Sequence, residues 1–112
     1  METFHIKRGD TSPAIRYALS PATVDLTGAT VRFQMRARRS RGGATVIDAA
    51  AVVVIATGTP TVEYAAWQAA ETANAGLYEA EFPVTYANGK TETFPNDEFI
   101  LVKISEDVPP AS

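Results

Sequence analysis

Five arginines, Arg32, Arg36, Arg38, Arg39 and Arg41, fall within ten residues with no acid among them. Guanidinium groups at that density could grip phosphates, with a salt-sensitive affinity that reflects counterion release. Two features weigh against nucleic acid. The chain carries a net charge of −3, and no aromatic residue stands between Arg36 and Arg41 to stack on bases. An acidic surface on a protein partner suits the cluster better, and Arg32 and Arg36 could also face Glu79 and Glu81 across paired strands. Other chemistry is thin. His5 is the single histidine and there is no cysteine, which removes most zinc constellations. Asp97-Glu98 and Glu106-Asp107 are adjacent pairs, and neighbours on a strand point to opposite faces. Gly42-Gly43 is not embedded in a phosphate-loop pattern. The residues point to no catalytic site, cofactor or metal, and to a protein that is not an enzyme.

The elements that position these groups are strands. In residues 76–95 the inward set Tyr78, Ala80, Phe82, Val84 and Tyr86 alternates with Glu79, Glu81 and Thr85, the period of a strand with one wet face. Asn88-Gly89 supplies a tight turn, and Thr91, Thr93 and Phe94 begin the return. Similar alternation predicts strands around Phe4–Ile6, Ile15–Leu19, Val31–Met35, Val62–Tyr64 and Phe99–Ser105. Residues 44–57 are rich in Val, Ile and Ala and read as a strand buried on both faces. Arg38–Gly43 reads as a polar hairpin tip. Residues 65–75 are the one helix-friendly stretch, good for a turn or two. Six to nine short strands with turns between them predict an all-β sandwich or barrel. At 112 residues the chain suits one domain over 1–107, with a loose tail at 108–112.

Charge is split along the chain. Residues 1–43 hold eight Lys/Arg against three acids, and residues 44–112 hold two against ten, so the balances are +5 and −8. Strands from the two halves can neutralise one another by pairing, or the split can favour head-to-tail assembly. The longest apolar run, Ala49–Ala56, is too short to span a bilayer. The opening residues lack the apolar core of a signal peptide, so synthesis in the cytosol is expected. On the last strand, Ile100, Val102 and Ile104 facing inward would leave Phe99 and Leu101 outward. Such a pair would offer a partner roughly 3–5 kcal/mol of burial. Arg36, Arg38, Arg39, Arg41, Phe99 and Leu101 are therefore the candidate contact residues.

The order of these motifs resembles a known family. HIKRGDTSPAIRYAL, VDLTGATVRFQMR, a Trp-containing segment, AGLYEAEFPVTYANGKTETFP and a closing FILVKI together resemble the N-terminal domain of the phage baseplate upper protein and small related virion proteins. The resemblance runs from about Phe4 to Ser105. It implies an immunoglobulin-like antiparallel β-sandwich that attaches fibre or receptor-binding proteins to a tail or baseplate, with no cofactor and no membrane. It also implies that Tyr78 is a strand-entry tyrosine whose ring packs and whose hydroxyl meets backbone. In the baseplate protein further fibre-binding segments follow this domain, whereas the present sequence ends at Ser112. That widens the expectation to a tail, baseplate or neck adaptor, or a capsid decoration protein, located in the virion and oligomeric there. A glycan- or host-surface-binding module, using Trp67, Tyr64 or Tyr86, is the expectation from a different class.

Overall fold

Alternating apolar and polar residues produce eight strands among the residues described by the computed structural model, 2–21, 23–38 and 45–106. They are β1 (Thr3–Lys7), β2 (Ile15–Ala18), β3 (Thr30–Ala37), β4 (Thr45–Ile55), β5 (Thr61–Tyr64), β6 (Gly76–Thr85), β7 (Thr91–Phe94) and β8 (Ile100–Ser105). One short 3-10 helix, Ala69–Thr72, lies between β5 and β6. The strands pair in the order β1-β8-β6-β3-β4-β5-β2, and β7 pairs with the far half of β6. The fold is all-β and sandwich-like, a single sheet wrapped nearly into a barrel. Its pairings are antiparallel except β1 with β8, which run parallel. The predicted tail at 108–112 lies outside the described residues.

The hairpin is formed as the alternation predicts. Tyr78, Ala80, Phe82 and Val84 are buried, and Phe82 stands opposite Phe94. Gly89 takes a positive φ of 85° in the turn, where its amide donates to the Tyr86 carbonyl at 2.9 Å. The core centres on Phe33. Its ring stacks on Tyr64 at 4.6 Å and meets Phe82 at 5.1 Å and the edge of Trp67 at 5.6 Å. Tyr78 stands at the entry to β6 with its hydroxyl donating to the Asn74 carbonyl at 2.6 Å. Thr72 is fully buried, and its hydroxyl donates to the Asp10 carbonyl at 2.9 Å. The Gly9 amide donates back to the Thr72 carbonyl at 3.0 Å, so the turn after β1 is fastened to the 3-10 helix.

The reading of residues 44–57 as a strand buried on both faces is overturned. Ile47 is buried and Ala49, Ala51 and Val53 are half-buried, but Val46, Val52, Val54 and Ile55 are exposed. The reason is the path of β4. Its first half pairs with β3 and its second half with β5, with register shifts against both partners. It turns the corner between the two layers, and no third layer covers its outer side. The β-branched composition therefore reflects strand preference more than two-sided burial.

Two phenols are expected to make the fold sensitive to alkali. The Tyr86 hydroxyl donates to Glu92 Oε1 at 2.8 Å. Burial, then that hydrogen bond and the carboxylate charge, push its pKa up to about 12 from 10.0. Tyr64, buried and bonded to Glu71, is raised as well. Between these values the unfolded chain has lost protons that the folded chain retains, so stability falls as pH rises. The denaturation midpoint is expected to hold steady up to about pH 9 and decline beyond pH 10, with folded-state absorbance at 295 nm showing late-ionising tyrosines. A midpoint that does not move across that window would contradict these environments.

Candidate interaction surface

Of the candidate residues, Arg36, Arg38, Phe99 and Leu101 converge on the outer face of the layer formed by β1, β8, β6, β3 and the first half of β4. The register sets the rows. Leu101 on β8 stands opposite Thr3 on β1 and Glu79 on β6, and Glu79 stands opposite Arg36 on β3. In the adjoining row Glu81 faces Gln34, which in turn faces Asp48 on β4. Arg36 Nε lies 3.2 Å from one Glu79 carboxylate oxygen and Arg38 Nε 3.5 Å from the other. The Glu79 side chain is only 16% exposed, while the two arginines are 40% and 45% exposed. Glu79 is thus the anchored anion, and the guanidinium groups reach over it toward solvent.

Phe99 is half-buried beside this pair, with the Arg36 guanidinium carbon 5.0 Å from its ring centroid. A cation over a ring at this distance contributes about 0.5–1 kcal/mol at an exposed site. Arg36, Phe99, Gln34, Thr45 and Glu81 border a shallow cleft of about 110 Å³. Leu101 is half-buried too, so Phe99 and Leu101 are less exposed than simple alternation predicts. Both remain on the outward side, since Ile100, Val102 and Ile104 are fully buried. Arg38 is exposed at the end of β3. Arg39 and Arg41 lie outside the described residues.

Acid partners of the arginines follow from register. The sequence expectation of Arg36 facing Glu79 is met, but Arg32 pairs elsewhere. Its Nε donates to Asp48 Oδ1 at 2.8 Å and its second nitrogen to the Asp48 carbonyl at 2.9 Å. Hydrogen bonds from Arg32 and Gln34 hold the Asp48 carboxyl below its ordinary range. Arg16 pairs with Glu63 across β2 and β5. These four ion pairs each join an arginine of the basic half to an acid of the acidic half. Part of the charge split is therefore neutralised inside one subunit. Exposed pairs of this kind contribute about 0–1 kcal/mol each and are screened by salt.

Leu77 was not among the predicted contacts, yet it is 46% exposed on the same face, opposite Lys103. The signal was present, because Leu77 is the one large apolar residue out of phase with the inward set that begins at Tyr78. Trp67 goes the other way. It is 3% exposed, stacked on Phe4 at 5.9 Å, and so offers no open ring to a sugar. His5 is exposed on β1 opposite Lys103 in β8. Among the described residues no three His, Cys, Asp or Glu side chains gather as metal ligands. No helix of the described residues is long and apolar enough to cross a membrane. The face supplies guanidinium, carboxylate, amide and apolar groups, which make ion pairs, hydrogen bonds and contact area. No family model matches the sequence, and no curated protein matches it.

Proposed function

We propose that this chain is a non-enzymatic structural protein of a tailed-phage virion, an adaptor in the tail, baseplate or neck. It attaches fibre or receptor-binding components through protein–protein contacts. The observation that carries the reading is the sheet face just described. Arg36, Arg38, Phe99, Leu101 and Leu77 lie on it together, and no other layer of the described residues covers it. The Tyr78 hydroxyl on the Asn74 carbonyl further supports the likeness to the baseplate-protein domain that the motif order suggested.

Quantitative mass spectrometry of purified particles tests the assignment by counting this chain against the major capsid protein. A low copy number that matches tail symmetry is expected. Hundreds of copies would make the chain a capsid decoration protein, and its absence from particles would overturn the structural reading. The double change Arg36→Ala and Arg38→Ala is expected to reduce incorporation while lowering monomer stability by no more than about 1 kcal/mol, because both arginines sit in exposed pairs. Normal incorporation of that variant, at low and at high salt, would remove the arginines from the interface.

A further inference from the structure

Strand pairing assembles a basic row on the outer face of the sheet. His5 on β1 stands opposite Lys103 on β8, and Lys103 stands opposite Leu77 on β6. The Arg38 amide, at the end of β3, donates to the Leu77 carbonyl at 2.9 Å. The row therefore crosses four strands, and His5, Lys103, Leu77 and Arg38 are all exposed. Acids border this row without entering it. Glu79 lies in the next row, held beneath Arg36 and Arg38. Asp10 follows the turn after Lys7, and Glu106 follows the end of β8. Among the described residues no ion pair involves Lys103.

Leu77 sits in the middle of this charge and is 46% exposed. Neighbouring strands lie about 4.8 Å apart, so the backbones of Lys103 and Arg38 stand roughly 10 Å apart with the leucine between them. An extended segment carries residues i, i+2 and i+4 on one side, about 7 Å from one to the next. With an acid, an apolar residue and an acid at those positions, it lays its apolar side chain on Leu77. Its carboxylates then come within reach of the long Lys103 and Arg38 side chains. Nucleic acid matches the row less well. A phosphate backbone sets charge against the leucine, and no aromatic residue stands in the row to stack on a base. Lipid matches poorly too, because binding to a membrane surface scales with buried apolar area and the row offers a single leucine.

We propose that the row of Lys103, Leu77 and Arg38 docks an acidic segment of a protein partner, one with an apolar residue set between two carboxylates. This contact rests on the reading of the face as a protein-contact surface and adds the chemistry of the occupant. Lys103, one of the two lysines of the acidic half, supplies one of the two flanking charges, so the arginines do not act alone. The role of the contact in a virion depends on the function proposed above, whereas the contact itself can be measured on the purified chain.

Fluorescence anisotropy of short labelled peptides mixed with the purified chain is the test. A peptide with the repeat Glu-Ser-Leu-Ser-Glu is expected to bind at low salt and to be released as salt screens the contact. Versions with Gln for Glu, or with Ser for Leu, are expected to bind about fivefold or more weakly. The protein variants K103E and L77S are expected to weaken the acidic peptide to a similar degree. K103E should recover binding to a peptide in which one Glu of each repeat is changed to Lys. Circular dichroism and the thermal midpoint establish that each variant is folded, and the peptide and salt series on wild type stand without them. An acidic peptide that does not bind, or that binds K103E and L77S as it binds wild type, would overturn the proposal. Tighter binding of duplex DNA or of phosphatidylserine vesicles at the same salt would overturn it too. Peptide binding by a chain absent from particles would sink the virion assignment and leave this contact standing. A chain present in particles that binds no acidic peptide would do the reverse.

Discussion

Phe33→Ala is expected to lower the unfolding free energy by about 3–5 kcal/mol, the range for truncating a core aromatic. Phe33 is completely buried and joins three other aromatic rings. Those rings come from β5, β6 and the segment before the 3-10 helix, so the residue binds both layers of the sandwich. The flanking rings are themselves held, Tyr64 by a hydrogen bond to Glu71 at 2.9 Å and Trp67 by stacking on Phe4. They have little freedom to collapse into the space left behind, which puts the expected loss toward the upper part of the range. Urea unfolding followed by tryptophan fluorescence reads it directly. A loss under about 1 kcal/mol, typical of a surface site or a well-relaxed cavity, would mean that the ring is not the centre of the core.

Tyr78 separates two contributions that most core residues confound. Its ring is buried, and its hydroxyl has a backbone acceptor at 2.6 Å. Tyr78→Phe keeps the ring and leaves the Asn74 carbonyl without this donor, at an expected cost of about 1–2 kcal/mol. Tyr78→Ala removes both and is expected to cost about 3–5 kcal/mol. The bond spans the four residues that lead into β6, so its loss should also loosen the stretch between the 3-10 helix and that strand. Hydrogen exchange there should quicken in the Phe variant while the amides paired between β3 and β4 remain protected. Equal stability of Tyr78→Phe and wild type would show that the hydroxyl contributes nothing to the entry of β6.

Neither variant should alter the outer face of the sheet, and this is what makes them useful beside the arginine variants. A core change that lowers assembly does so by reducing the folded population. The Arg36 and Arg38 changes are expected to lower assembly with the fold intact. The salt response separates the two as well, since ion pairs at an exposed interface are screened within about 10 Å at moderate ionic strength, while burial is not.

Local alternation made much of this protein legible. In β6, Tyr78, Ala80, Phe82 and Val84 point inward because side chains alternate on any strand, and Asn88-Gly89 turns the chain whatever surrounds it. The all-β class, the hairpin and the short helical turn before it follow from such short-range rules. That Arg36 and Glu79 lie on wet faces was legible for the same reason, whereas their meeting depends on the register of β3 against β6. Four features needed the tertiary structure. The outer side of β4 is bare because that strand turns between layers, and a run of Val, Ile and Ala looks the same whether one face is covered or two. Arg32 meets Asp48 across two consecutive strands, and Arg16 meets Glu63 across two distant ones, through registers that no single strand's pattern fixes. Phe99 is half-buried because Arg36 folds over it. The open edges of β1 and β2 depend on the order of all seven strands in the path. A strand's periodicity is a property of its own backbone, whereas its neighbours, its register and its exposure depend on which distant segments pack against it.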